Sequence, residues 1–467
     1  MSIEKTDCKH NSDFEKFPSK EVCIHLYNKK TEEYYRSFTG QGKEYQLICG
    51  ACKTYLNKFM LNLKSVCHEC FEKIEDDNDF YEYLGLPAIS ESSVSTIIKH
   101  LPKPMPMLQV ATIQAIKPIS VDPITGVQGS QWLLFDTTNH LKLLDLEHNV
   151  LRLIAIIPFA TLNADGKIKM HVSPKGDFAT IISAGRTTVD QQAWNHGVVI
   201  RLADGVLTML LDRGDYHTEQ SDFSCAYFVS QDRTLMVHAT DWNRLDISDP
   251  NTGEVLTNRD PNKRPEEAWR FNRNNATEFS GQLIVSPDQH WIVDSGWVWH
   301  PVGVVSRWDL QHWLHKNIWE SDNGPSKLSL IQRAYFWDGP VCWIDSNTLC
   351  VWGLGDDEDN MVPAALIIDI QTGELKDWFP GPEMGLFIFD EYLYTVDKDD
   401  ALSVWDIESG TRIHYEPDFA PVAYDPNTKK FLLFVNDECV LSSLDFNTIN
   451  VDALTPVTEL EFTLPSN

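Results

Sequence analysis

Residues 405–413 read WDIESGTRI, a short apolar strand that ends in aspartate and then turns sharply at a glycine. Versions of this pattern recur along the chain: LDLEHNVL at 144, RLADGVL at 201, DISDPNTGEVL at 246, RWDLQHWL at 307, DIQTGEL at 369 and LDFNTIN at 444. The seven copies follow one another at intervals of roughly 40 to 60 residues, with most of the variation in loops. Repeats of this length, rich in strands and turns, predict a mainly β chain built from four-stranded units.

A second pattern, a polar turn directly after an apolar strand, alternates with the first. Its copies are VSPKGDF at 172, FVSQDRT at 228, VSPDQHW at 285, WIDSNTL at 343 and AYDPNTK at 423. Together the two patterns predict a closed β-propeller over residues 108–467, with seven blades and with six or eight as alternatives. Closure protects sheet edges, and we expect LQVATIQAI at 108–116 to supply a strand to the final blade.

These motifs carry a family resemblance. WDIESG at 405–410 is close to the signature of WD-repeat propellers, and the VSP turns match the turn that those proteins place between the first two strands of a blade. The chain also resembles bacterial propeller proteins of unknown activity. The resemblance covers about 350 residues and implies a disc of radial blades that serves as a binding scaffold.

Composition excludes several classes of protein. Apolar residues make up 42% and charged residues 23%, as in globular proteins, and the net charge of −29 disfavours contact with nucleic acids or anionic membranes. No apolar run is long enough for a membrane helix, and the N-terminal residues are polar, so we expect a cytoplasmic protein. Residues 16–73 carry a net charge of +4 with interleaved aromatic residues, which leaves nucleic-acid contact open only for the N-terminal module.

Two CxxC pairs in the N-terminal region predict a metal site. Cys49 and Cys52 are separated by 14 residues from Cys67 and Cys70. Two such turns can offer four thiolates in the tetrahedral arrangement that suits zinc. The segment around them resembles zinc-ribbon and treble-clef fingers, which implies a small α+β module stabilised by its metal.

A second metal site is an alternative in the same region. Its ligands would be Cys8, His10, Cys23 and His25. An apolar stretch at 89–101 predicts a helix, and PKPMPM at 102–107 predicts an extended spacer. The expected organisation is therefore a zinc-finger-like module at 1–84, a helix and proline-rich linker at 85–107, and the propeller at 108–467.

The long loops of the predicted blades indicate a binding surface. In a WD-like blade, the loop between the second and third strands and the connection to the next blade emerge on one face of the disc. Twelve of the fifteen tryptophans lie between residues 190 and 353, many of them in or beside these loops, and tryptophan and arginine are frequent in binding hot spots. The residues expected to line one concave surface are Trp194, His196, Trp242, Arg244, Trp297, Trp299, His300 and Trp337.

Two functions remain open from the sequence. The first is a non-catalytic scaffold whose long-loop face recognises a protein, a peptide or a small polar ligand, with the zinc module as a second contact surface. The alternative is a hydrolase or lyase with His196, Tyr216, Asp241, His300 and Asp338 in a central pocket. No established catalytic motif is present to support the enzyme, and the sequence indicates neither the oligomeric state nor the ligand.

Overall fold

Strands dominate the described part of the chain. The computed structural model describes residues 112–445 with gaps at 127, 147, 149, 163–165, 187–192, 219–220, 261–277, 300 and 436–437, and also the backbone of three strands nearer the N-terminus. Two of these strands, β1 (Phe14–Phe17) and β2 (Lys64–Cys67), pair antiparallel with each other. The third, β3 (Ser95–His100), belongs to the propeller. The side chains of the two CxxC pairs and of the alternative second metal site lie outside the described residues.

Seven antiparallel sheets form the blades of a propeller, and within each the strands are counted outward from the axis. Blade 1 contains β4 (Ile113–Val121), β5 (Gln128–Asp136), β6 (His140–Asp145) and β7 (Val150–Ile156). Blade 2 contains β8 (Lys167–Val172), β9 (Phe178–Arg186), β10 (Ala193–Arg201) and β11 (Val206–Asp212). Blade 3 contains β12 (Cys225–Ser230), β13 (Arg233–Asp241) and β14 (Arg244–Ser248).

The remaining four blades each have four strands. Blade 4 contains β15 (Glu278–Val285), β16 (Trp291–Val298), β17 (Val302–Asp309) and β18 (Leu328–Ala334). Blade 5 contains β19 (Val341–Asp345), β20 (Thr348–Leu354), β21 (Val362–Asp369) and β22 (Leu375–Pro380). Blade 6 contains β23 (Gly385–Phe389), β24 (Leu393–Asp397), β25 (Leu402–Asp406) and β26 (Thr411–Glu416). Blade 7 contains β27 (Pro421–Asp425), β28 (Lys430–Val435), β29 (Glu438–Asp445) and, outermost, β3.

The ring closes by pairing the two ends of the propeller. β3 pairs antiparallel with β29, and β27 contacts β4, so blade 7 joins blade 1. The helix expected at 89–101 is therefore wrong, because its centre is a strand rich in β-branched residues, which favour an extended chain. The strand expected from 108–116 is also misplaced, since β4 is the inner strand of blade 1.

The hydrophobic core consists of layers between neighbouring blades. Phe135 of blade 1 packs in one cluster with Ile181 of blade 2, and Val199 on the same blade packs in another with Phe228 of blade 3. All four side chains are inaccessible to solvent. Each such side chain contributes roughly 1.5–3 kcal/mol through burial, so the stacked blades form a rigid frame for the loops.

Blades 3 and 4 depart from the regular pattern. After β14, residues 254–257 take the place of a fourth strand: Ser248 forms a β-bridge with Val255, and the Leu256 N–H donates to the Ile247 carbonyl. Two short helices, α1 (Leu310–His315) and α2 (Glu320–Asn323), are inserted between β17 and β18. Among the described residues, no helix has the length and apolar character that crossing a membrane requires.

Both turn patterns lie where the sequence predicts. The VSP-type turns join the first and second strands of blades 2, 3, 4, 5 and 7, and the aspartate patterns follow the third strand of all seven blades. One copy differs from the expected tight turn, because Asp309 caps the N-terminus of α1, where its carboxylate accepts a hydrogen bond from the His312 N–H. A seven-bladed propeller is therefore confirmed.

Candidate functional site

Two kinds of loop share one face of the disc. Because the strands of each blade alternate in direction, the hairpin between its second and third strands emerges beside the connection to the next blade. We call this side the long-loop face and the opposite side, with its aspartate and VSP turns, the short-turn face. The connections from β11 to β12 and from β18 to β19 (335–340) belong to the long-loop face.

Aromatic side chains from blades 2 to 5 meet on the long-loop face. The Tyr216 ring lies 4.8 Å from Trp242, which lies 5.0 Å from Phe279. Phe279 stacks on Trp297 at 4.2 Å with an angle of 3°, and Trp297 stacks on Trp337 at 5.4 Å. We call the continuous set the aromatic cluster; it comprises Tyr216, His217, Trp242, Phe279, Trp297, Trp299 and Trp337.

The aromatic cluster has a buried base and an exposed top. Phe279 and Trp297 are 1% and 4% exposed, whereas Tyr216 and Trp299 are 48% and 49% exposed. Aromatic pairs of this geometry contribute about 0.5–1.5 kcal/mol each beyond burial, which fixes the exposed rings on a rigid support. The Trp297 indole N–H is buried and finds no hydrogen-bond acceptor among the described residues. The surface is thus preformed, apolar and open to solvent.

Two glycines allow the backbone to approach closely enough to build this stack. A Cβ on Gly296 would lie 2.2 Å from the Phe279 carbonyl oxygen, next to the register pair of Phe279 with Trp297. A Cβ on Gly303 would lie 1.8 Å from the carbonyl oxygen of Phe336. Because these positions lack a side chain, β15 can approach β16 and the 335–340 connection can approach β17, and both place their rings against Trp297.

Three residues beside the aromatic cluster have left-handed backbone conformations. The φ angles are 49° at His217, 56° at Tyr335 and 61° at Asp338. Residues with large side chains rarely adopt this region, and such strain concentrates at functional sites. The strained positions lie in the two connections that carry Tyr216 and Trp337.

The structure brings together four of the eight predicted site residues. Trp242, Trp297, Trp299 and Trp337 belong to the aromatic cluster. Trp194 and His196 form a pair of their own with ring centroids 4.2 Å apart, and among the described residues no ring contact links them to the cluster. His300 lies outside the described residues.

Arg244 takes part in an ionic network instead of presenting a free guanidinium. Its Nε donates to Asp246 Oδ2 at 2.7 Å. The same carboxylate accepts from Arg259 Nη1 at 2.7 Å and from Thr257 Oγ1 at 3.1 Å. Asp246 is 1% exposed, and Arg259 also pairs with Asp322. This network ties the segment after β14 to the helical insertion of blade 4.

Four of the five residues of the predicted catalytic set are described, and they make separate contacts. His196 Nε2 lies 3.6 Å from Asp212 Oδ1, and Tyr216 belongs to the aromatic cluster. Asp241 accepts a hydrogen bond from the Trp242 N–H, and Asp338 interacts electrostatically with Asp222. In the described part of the chain, no three His, Cys, Asp or Glu side chains are grouped to hold a metal ion.

Sequence reasoning missed Phe279, the ring at the centre of the stack. It follows a segment without a repeat signal, so no pattern placed it at the start of β15. The local signal that could have found it is the small-residue spacing of FSG at 279–281 opposite the SGW of 295–297. Glycines at these positions of neighbouring strands indicate a close approach of two backbones.

An electrostatically unusual carboxylate lies on the same face. The pKa of Asp356 is raised to about 6, mainly by burial, with the neighbouring charge of Asp357 as an added cause. Its Oδ1 is buried and has no hydrogen-bond partner within the described ranges. The chain thus keeps on this face a carboxylate whose charged form is disfavoured.

Comparisons with known proteins concern only the fold of the chain. No family model and no curated protein sequence matches it. Among solved structures, it is similar to a chain of a "Crystal Structure of Mitotic Checkpoint Complex", with a TM-score of 0.44 and 10% sequence identity, covering 76% of this chain and 96% of the other. Similarity this weak says nothing about the partners or ligands of this protein.

Proposed function

We propose that this protein is a non-catalytic binding scaffold whose long-loop face recognises a protein or peptide partner through the aromatic cluster. The observation that carries the proposal is the exposed pair Tyr216 and Trp299 above the buried base of Phe279 and Trp297. Interface hot spots are enriched in such rigid, partly desolvated aromatic anchors. Large rings held in place lose little entropy on binding, which favours recognition of a partner.

The partner is expected to insert a flat or cationic group among the rings. Tyrosine and tryptophan faces attract cations and stack on planar groups. The two exposed rings come from the connection between blades 2 and 3 and from blade 4, so the surface is broad and suits a peptide segment or a protein loop better than a small substrate.

The experiment begins with affinity capture by the full chain and identification of the retained proteins by mass spectrometry. Each candidate is then produced pure, and its Kd is measured against wild type, Tyr216→Ala and Trp299→Ala. Each of these side chains is about half exposed, so both variants should keep the wild-type Tm within a few degrees and weaken binding at least ten-fold, about 1.4 kcal/mol.

Phe159→Ala is the matched control. Phe159 is 65% exposed in the connection from blade 1 to blade 2, on the same face but outside the aromatic cluster. Its removal should leave the Kd unchanged. If Phe159→Ala weakens binding as much as Trp299→Ala, or if neither cluster variant weakens it, the aromatic cluster is not the recognition surface.

The N-terminal module is proposed to bind one zinc ion through Cys49, Cys52, Cys67 and Cys70 and to provide a second contact surface. Support comes from the doubled CxxC spacing and from the thiolate preference of zinc. Such thiolates need a reducing compartment, in keeping with the cytoplasmic location that belongs to the same proposal.

Elemental analysis of the native protein tests the metal. We expect one zinc per chain, loss of the metal in acid because thiolates must stay deprotonated, and loss in Cys49→Ser and Cys67→Ser. Cys342→Ser, a cysteine of blade 5, is the control and should keep the zinc. A protein without zinc would refute the site, and a content near two would assign the second ion to Cys8, His10, Cys23 and His25.

A further inference from the structure

A separate group of charged side chains lines the axis of the propeller. Lys167, Lys169 and His171 alternate along β8, the inner strand of blade 2. Met170 between them is buried in the core shared with blade 1, so the three polar side chains lie on the other side of the strand. Lys117 comes from β4, the neighbouring inner strand, which contacts β8.

These side chains lie close enough to interact electrostatically. Burial lowers the pKa of Lys117, and the positive charge of Lys169 lowers it further, although the Lys117 side chain remains exposed to solvent. Burial also lowers the pKa of His171 to about 3, with the charges of Lys117 and Lys169 as added causes. Groups that are surrounded by protein and still touch water lie in a channel, where charges are screened less than on an outer surface.

Two aspartates from the long-loop face interact with these side chains. Asp222 forms an ion pair with Lys169. The pKa of Asp338 is raised to about 6, mainly by burial and also by the charge of Asp222. The charges of Lys169 and Lys167 act in the opposite direction. Asp338 comes from the connection between blades 4 and 5, so its electrostatic interaction with the lysines of blade 2 places the group at the long-loop end of the central channel.

The positive charge of this group is incompletely matched. Lys117 and Lys167 form no ion pair among the described residues, although residues 84–467 as a whole carry a net charge of −26. Neutral His171 adds a hydrogen-bonding ring without a competing charge. Like charges gathered in a concave site repel one another, and a bound anion relieves that repulsion.

We propose that the long-loop end of the central channel binds a tetrahedral oxyanion, sulfate or the phosphate group of a small molecule, between Lys117, Lys167 and Lys169. The site is distinct from the aromatic cluster and does not depend on a partner there. Lysines supply point charges, and the His171 ring supplies a hydrogen bond to an anion oxygen.

Calorimetric titration of the full chain with sulfate at constant ionic strength tests the proposal. We expect one site per chain, with Lys117→Met and Lys167→Met each weakening sulfate at least ten-fold. Lys398→Met is the matched control, because Lys398 is exposed in the hairpin between β24 and β25 on the same face. It should leave the affinity within two-fold of wild type.

Asp338→Asn provides a gain of affinity that misfolding cannot imitate. Sulfate does not titrate between pH 5 and 8, and His171 stays neutral there, whereas the pKa of Asp338 is about 6. Wild-type affinity should fall as the pH rises through about 6 and Asp338 ionises. The Asp338→Asn protein should bind more tightly at pH 7.5 and show a flat profile.

Further probes define the anion. Inorganic phosphate should bind like sulfate, whereas citrate should bind at least ten-fold more weakly if the site selects tetrahedral groups. A phosphorylated sugar that binds more tightly than phosphate would show that the anion is carried on a larger molecule. Absence of sulfate binding, or equal losses in Lys117→Met and Lys398→Met, would overturn the proposal.

Discussion

The two faces of the propeller use their polar groups in opposite ways. On the short-turn face, the Asp369 carboxylate accepts hydrogen bonds from the backbone of Gln371 and Thr372. Partial burial alone would raise the pKa of Asp369, but these bonds outweigh it and lower the pKa. On the long-loop face, burial raises the pKa of Asp338 and of Asp356 to about 6.

This difference separates structure from function within one repeat. The hydrogen bonds of Asp369 stabilise its own turn, whereas the buried Oδ1 of Asp356, which has no partner among the described residues, favours either a proton or a ligand. Substitutions on the short-turn face should therefore change stability alone, and substitutions of the exposed rings of the aromatic cluster should change binding.

Asp246→Ala should have the largest effect on the free energy of unfolding, and this loss would show that the network containing Arg244 stabilises the fold. The change removes one of the two carboxylates that pair with Arg259, which is 5% exposed, and breaking a buried ion pair costs about 3–5 kcal/mol. Chemical denaturation should show that loss. Asp204→Ala, which removes an exposed ion pair with Arg201, is the control and should cost far less, because surface ion pairs are screened by solvent. Comparable losses in the two variants would show that the buried network stabilises the fold no more than the exposed ion pair does.

Gly303→Ala should affect both stability and binding. The new Cβ would meet the Phe336 carbonyl, so the 335–340 connection must shift and Trp337 must leave its stack on Trp297. We expect a loss of about 2 kcal/mol in unfolding free energy, together with weaker partner binding. Gly129→Ala is the control, because its Cβ would meet nothing within 4 Å. Unchanged binding in a destabilised Gly303→Ala protein would show that Trp337 is not needed for recognition.

Ser286→Ala should reduce stability and leave binding unchanged. The buried Ser286 hydroxyl accepts hydrogen bonds from the Trp291 and His290 N–H groups and donates to Asp288. Loss of such an acceptor leaves backbone donors unpaired and costs about 1–3 kcal/mol. Urea unfolding measures the cost. A parallel loss of partner affinity would show that the two faces are not independent.

The sequence predicts the frame better than the site because the frame repeats. The serine of VSPDQHW stabilises its turn through hydrogen bonds to residues four and five positions later, so recurring local patterns of this kind suffice to predict the blades. β3 was missed because its pairing with β29 joins chain segments more than 300 residues apart. Arg244 was misassigned for a related reason, since Arg259 completes the network that holds it. Loop residues depend on such distant partners, which no local pattern reveals.

The smallest expected effect is a pH dependence that arises on the long-loop face. The folded-state pKa of Asp356, about 6, lies above the ordinary value of 3.8, so between these values the folded protein holds more protons than the unfolded chain. Its contribution therefore falls as the pH rises from 4 to 6 and then stays constant, by about 1 kcal/mol between pH 5 and 7.5. The turn carboxylates behave oppositely: with lowered pKa values they stabilise the fold above about pH 4, and that stability is lost on further acidification.

Asp356→Asn should flatten the slope between pH 5 and 7.5, measured by urea unfolding at both values. Asp369→Asn, the control on the short-turn face, should keep the wild-type slope in this window and reduce the additional loss below pH 4. A wild-type slope retained in Asp356→Asn would assign the titration to another group and would remove Asp356 from the contrast between the faces.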